Sequence, residues 1–153
     1  MSCGGKEEKK GKFQYDVQPE PTTTTTTDTT EIPDEDSAVA DVDMENKGVG
    51  PITSYTLEEE VNTELASKGE AVFKQMCTAC HKIDQKLIGP PVKGILERRS
   101  VEWVMNMILN PDQMLNEDPI AMELLKEHNN VRMLDQNLTE EDAKALVEYF
   151  RTL

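Results

Sequence analysis

Cys77-Thr78-Ala79-Cys80-His81 is the feature that most restricts what this 153-residue chain can become. Two thiols separated by two residues, with an imidazole directly after, are built to hold something. A zinc centre needs about four ligands, usually from two such pairs. The chain has three cysteines, and its only other histidine is His128, so a zinc site would use Cys77, Cys80, His81 and His128. Adjacent Cys80 and His81 would then bind one ion from successive positions, which strains the geometry. A thioredoxin-like dithiol needs a βαβ setting, and strand signals are nearly absent. Covalent haem satisfies all three groups: the thiols add to the two vinyl groups of the porphyrin, and His81 lies beneath the iron.

The chain divides near Tyr55. Residues 1–55 hold 5 basic and 12 acidic residues, and residues 56–153 hold 11 and 18, so each part carries half of the net −14. The first part contains "PEPTTTTTTDTTEIPDEDSAVADVDMENKGVGP" and has almost no apolar periodicity. Such a segment cannot bury enough surface to offset chain entropy, and it reads as a disordered tether reaching on the order of 40 Å. Phe13–Val17 is the stretch within it suited to lie as a strap on the domain. Residues 56–153 form the candidate haem domain, at a size where a held cofactor aids stability. The acidic balance argues against nucleic acid as the main partner, since phosphate binding needs a basic face.

The periodicity predicts an all-α domain. Thr56 with Glu59, and Ser67 with Glu70, have capping-box spacing, predicting helices near 57–65 and 68–77. "IGPPVKG" is a loop, because Gly-Pro-Pro cannot continue a helix. Ser100 caps "SVEWVMNMILN", which stops before Pro111; "NPDQMLNEDP" reads as a loop; "PIAMELLKEHN" is a helix begun by Pro119. Thr139 caps the last helix, "LTEEDAKALVEYFRTL", with Asp142 three residues on.

A low-spin electron-transfer haem needs a second axial ligand, and histidine with methionine raises the reduction potential relative to two histidines. Met105, Met107 and Met122 have core-like helical spacing. Met133 lies in an irregular loop directly before the last helix, from which it can approach the face opposite His81. It is the expected ligand, with Met114 as its rival. His128 is expected at the solvent-facing end of its helix, favoured by the negative helix terminus, with bis-histidine ligation as the minor alternative.

Residues 64–153 resemble class I c-type cytochromes, the small monohaem electron carriers. The resemblance runs through Gly69 and Phe73 on the first helix, Cys77-x-x-Cys80-His81, Gly89-Pro90, an arginine after the following loop, a loop methionine and the final helix. It implies a class I cytochrome c fold, here with extra helices before the methionine-ligand loop. It implies one haem c, bonded through Cys77 and Cys80 and ligated by His81 and Met133. The Pro90 carbonyl accepts the hydrogen bond of the proximal His81, fixing the ring and making it a better donor. Gly69 and Phe73 pack on Leu146 and Tyr149. Arg98 and Trp103 are implied as partners of the haem propionates. The chain departs from the simplest members in its two helices between Ser100 and Asn130, as in carriers beside terminal oxidases and reductases. It also has Leu134 where proline usually follows the methionine.

A haem closed on both faces leaves one-electron transfer as its work, not enzymatic turnover. Residues 70–99 hold six basic and three acidic residues, a local basic rim suited to an acidic redox partner. A terminal oxidase or reductase, or a quinol-oxidising complex, is the expected class of partner for a monomeric shuttle. A haem-based redox or gas sensor, and a fixed subunit admitting electrons to an oxidase or reductase, are the alternatives. Haem c attachment implies a periplasmic or extracytoplasmic setting and an export signal ahead of the mature chain. "SCGGKEEKK" looks like the start of a mature bacterial lipoprotein, with Cys3 as the lipid-bearing membrane anchor.

Overall fold

A computed structural model describes Met1 and residues 41–153. Residues 41–153 belong to one compact unit, Ile32–Leu153. Cys3 and the stretch Phe13–Val17 lie outside the described residues. Among those described, the chain is all-α, with an isolated bridge between Asp43 and Arg99 instead of strands. Its helices are α1 (Thr63–Val72), α2 (Ile95–Arg98), α3 (Val101–Leu109), α4 (Pro111–Glu117), α5 (Pro119–Glu127) and α6 (Glu140–Phe150). No helix among the described residues is long and apolar enough to cross a membrane.

The two capping boxes expected before the cysteines do not form. A single helix starts at Thr63, where Asn62 accepts a hydrogen bond from the Leu65 amide at 3.0 Å, and Ser67 and Glu70 lie in its interior. Residues 57–62 stay irregular for a long-range reason. Their carbonyls are collected by the Arg151 guanidinium, at 2.9 Å from Glu58, 3.0 Å from Glu59 and 3.4 Å from Glu60. Glu148 completes the clasp by accepting from both Arg151 and the Asn62 amide at 3.0 Å. This ties the start of α1 to the end of α6.

Helices α1 and α6 cross closely because Gly69 permits it. A β-carbon at Gly69 would run into the Ala145 carbonyl and come within 2.9 Å of the Tyr149 β-carbon. Phe73 then lies tilted against Tyr149 at 5.6 Å and meets Phe150 edge-on at 5.9 Å. The capping box of Thr139 and Asp142 forms as expected at the head of α6. Beyond Val72 the helix widens into a π turn over Phe73–Cys77, so the Thr78 amide reaches back to Phe73 at 3.2 Å. Such widening is frequent at functional positions, and here it delivers Cys77 to the core side of the chain.

Helices α3, α4 and α5 form the opposite wall. Ser100 caps α3 as expected, accepting from the Trp103 amide at 3.1 Å. The segment read as a loop after Asn110 is α4: Pro111 opens this helix as well as closing the one before, because a first-turn residue has no amide bond to lose. Met114 is therefore helical and fully buried, and its sulfur accepts a hydrogen bond from the Val49 amide at 3.0 Å.

That last contact moves the boundary drawn at Tyr55. Residues 43–55 lie against the helices, with Ile52 in the core. Asn106, buried at 1% exposure, holds this segment by donating to the carbonyls of Lys47 and Ile52 and accepting from the Ile52 amide, all within 2.9 Å. A β-carbon at Gly50 would collide with that amide side chain. The segment is polar in sequence yet folded, because its backbone groups find partners on α3.

Candidate haem site

Between the α1–α6 pair and the α3–α5 wall lies a cavity of about 300 Å³ whose lining is overwhelmingly apolar. Leu115, Leu124, Leu125, Leu138, Leu146 and Phe150 contribute from four different segments. Exposed Cys80, Ile88 and Leu134 stand at its mouth, so the cavity opens to solvent along one rim.

Four of the residues singled out from sequence meet here: Cys77, Cys80, His81 and Met133 all line the cavity, as does Pro90. The turn after the π segment brings the first three together, with the amides of Cys80 and His81 donating to the Cys77 carbonyl at 3.0 and 2.9 Å. Cys77 and Cys80 are free thiols. Burial, reinforced by Cys80, pushes the Cys77 thiol up to about 11, so it is held as the neutral thiol. His81 Nδ1 lies 2.9 Å from the Pro90 carbonyl. A carbonyl only accepts, so Nδ1 carries the hydrogen and Nε2 keeps its lone pair. Gly89 makes this approach possible: a β-carbon there would lie 2.8 Å from His81 Nδ1. Met133 reaches the cavity from the loop before α6, half-buried.

The donor set fits haem c. Two thiols and a tautomer-fixed imidazole occupy one stretch of wall, a thioether comes from a distant loop, and the intervening surface is apolar. Among the described residues no cluster of three or more His, Cys, Asp and Glu side chains could hold a metal ion, so Cys77, Cys80, His81 and His128 do not converge as a zinc site. Met114, the rival ligand, is absent from the lining and committed to Val49.

Three expectations are corrected. Trp103 lines the cavity with its ring, but its indole N–H donates to Asp118 Oδ1 at 3.0 Å, so it is a wall residue and not a free propionate donor. Asp118 also accepts from the Ala121 amide at 2.8 Å and from Asn46 at 2.7 Å, which fixes the indole. Arg98 is outside the lining and donates to the Lys93 carbonyl at 3.1 Å. Its neighbour Arg99, counted in the basic rim, is buried at 2% exposure over the Trp103 ring. His128 is not solvent-facing: it is buried in the cavity wall, with Nδ1 3.0 Å from the Ile88 carbonyl. Residues 43–52 are the positions that sequence reasoning missed, and His128 was expected in solvent, not in the cavity wall.

A model of the cytochrome c family matches residues 66–153. The chain is 32% identical over 95 residues to cytochrome c-551 of Stutzerimonas stutzeri, covering 58% of this chain and 80% of that protein. It is 49% identical over 35 residues to a cytochrome c2 of Rhodopseudomonas palustris, a match spanning 23% of this chain and only 30% of that relative's length. Among solved structures, cytochrome c from Rhodothermus marinus aligns with a TM-score of 0.65 at 38% identity, over 67% of this chain and 88% of that one. An engineered form of the same cytochrome, bound to a carbene intermediate, aligns with a TM-score of 0.63 at 37% identity over the same shares.

Proposed function

The chain belongs to the cytochrome c family, with the class I fold, and from that premise we propose that it carries single electrons on one covalently held haem c. The observation that carries this reading is the convergence of Cys77, Cys80, His81 and Met133 on one apolar cavity. Iron in a haem supplies one-electron chemistry between its ferric and ferrous states. Cys77 and Cys80 would hold the group by thioether bonds. His81 would offer Nε2 to the iron while the Pro90 carbonyl fixes its ring and strengthens it as a donor. Met133 would offer its thioether sulfur as the second protein ligand. The apolar lining would keep water from the group, and two protein ligands would leave no position for substrate.

Electrons pass through the open rim. Exposed Ile88, Val131 and Leu134 line it, and Lys82, Lys86 and Lys93 are exposed on the segment that follows His81. Exposed lysines near an apolar mouth suit a partner with an acidic docking face, and association slows as salt rises. We propose as partner a respiratory oxidase, reductase or quinol-oxidising complex. Residues ahead of the folded segment act as the acidic tether, and Cys3 is the lipid anchor that keeps the domain at the outer face of a membrane. Mass spectrometry of the native protein tests the anchor: lipid-modified Cys3 is expected, and an unmodified Cys3 overturns it.

The ligand assignment is tested by Met133→His in haem-loaded protein. The far-red charge-transfer band of methionine-ligated ferric haem disappears and the midpoint potential falls. An unchanged band eliminates Met133. Carbon monoxide separates a carrier from a gas sensor: the reduced carrier does not bind it, whereas a displaceable sixth ligand does.

A further inference from the structure

Met133 sits in a segment that has little of its own to hold it in place. Residues 129–138 contain no proline. The non-glycine residues with positive φ among those described, Asn129, Asn130 and Asn137 at 57°, 58° and 52°, all lie within this stretch. Val131 and Leu134, which flank Arg132 and Met133, are exposed. Most of the segment's hydrogen bonds are short-range: the Val131 amide to the His128 carbonyl, Gln136 to the Leu134 carbonyl, and the Asn137 amide to Asp135. Bonds of that kind shape the loop but do not aim its methionine at the cavity.

Arg132 breaks the pattern. Its Nη2 donates to the Asp112 carbonyl, the Asp112 carboxylate and the Asn116 side-chain oxygen, each at 3.3 Å. Among the described residues these are the only hydrogen bonds by which residues 132–138 reach beyond their own segment. All three acceptors belong to α4, and α4 is itself fixed. Pro111, Met114 and Leu115 are buried, and the Met114 sulfur is tied to the Val49 amide. Leu115, on the same helix, lines the cavity that Met133 enters from the other side of this contact.

We propose that Arg132 is a positioning residue for Met133: its contacts on α4 keep the loop docked, and without them the sulfur is held in the cavity for less of the time. This rests on the assignment of Met133 as axial ligand. It also gives a duty to α4, a stretch that reads as a loop in sequence. The tie has a built-in weakness. The Arg132 and Asp112 side chains are 39% and 74% exposed, and an ion pair so exposed is screened by salt. Docking of the loop therefore loosens as ionic strength rises. A competing ligand that binds only the undocked form gains apparent affinity in proportion to the undocked fraction.

Imidazole titration of the oxidised, haem-loaded full chain measures that fraction. The imidazole nitrogen takes the place of the Met133 sulfur with no change of oxidation state, and the far-red methionine band is lost. Arg132→Ala is expected to bind imidazole about threefold to fivefold more tightly than wild type at low salt. Asp112→Asn, altered only on the α4 side, shifts in the same direction. Added sodium chloride raises the wild-type affinity and leaves that of Arg132→Ala unchanged. Both positions are exposed, so the substitutions leave the core intact. Wild-type affinity in Arg132→Ala, a shift there that Asp112→Asn does not share, or a salt dependence that Arg132→Ala keeps in full overturns the proposal. Wild-type protein with covalent haem but no far-red band overturns the Met133 assignment instead, before any titration begins.

Discussion

The two sides of the cavity solve the burial of polar groups in opposite ways. On the α3–α5 wall every principal polar side chain is met from within the protein: Asp118 takes three donors, Asn106 makes three bonds to residues 47–52, and Ser100 donates to the Asn46 carbonyl at 2.6 Å. On the rim, residues 78–93 and 129–138 are largely exposed and carry exposed apolar side chains. The wall is met from within; on the haem reading, the cofactor would complete the rim. Of these two sides, the wall is the one that holds buried polar networks. They fix the shape into which the rim and the haem must fit.

The largest expected effect separates the two sides outright. Cys77→Ala with Cys80→Ala removes covalent attachment, and amide hydrogen exchange should show protection falling steeply over residues 78–93 and 128–138 while α3 keeps the most. Uniform loss across both would mean that the wall also depends on the cofactor. Next comes Asn106→Ala, which strips partners from the Lys47 and Ile52 backbone at a cost of roughly 2–4 kcal/mol in denaturant unfolding of the haem-loaded protein. Its haem spectrum should not change; a changed axial-ligand band would show that wall and rim are coupled. Asp118→Asn weakens the charge-assisted bonds to Trp103 and Ala121, costing about 1–2 kcal/mol.

Thr139→Ala is the smallest, about 1 kcal/mol, and acts at the head of α6, where the rim ends. The Thr139 hydroxyl, its amide and Lys68 hold Asp142 below the ordinary carboxylate range. A depressed carboxylate stabilises above its unfolded value and loses that contribution as pH falls through the folded one. The Thr139→Ala deficit should therefore be fullest near neutrality and shrink on acidification, read as the difference in midpoint denaturant concentration.

What sequence could disclose followed the range of each interaction. Cys77, Cys80 and His81 are adjacent, and the caps of α3 and α6 span three residues, so their geometry was legible. Met133 was legible as one of two methionines expected in loops, and of the two only Met133 lines the cavity, because Met114 is helical and held by Val49. Pro90 came through resemblance, and the Pro90–His81 bond bears out the pairing. The polar segment 43–55 misled because its partners stand 47 to 72 residues away, on α3, α4 and the cap of α5. Pro111 misled because one residue can both stop and start a helix. His128 misled because "KEHNN" is polar locally: Asn129 and Asn130 end the helix with positive φ of 57° and 58°, while the histidine turns inward to a carbonyl 40 residues back.

The most direct test is acidic organic-solvent extraction of natively matured protein, followed by intact mass measurement. Retention of one haem mass on the polypeptide, abolished in the Cys77→Ala, Cys80→Ala chain, is the predicted result. Pigment that extracts freely, or a polypeptide mass with no haem, would contradict the cavity's assignment.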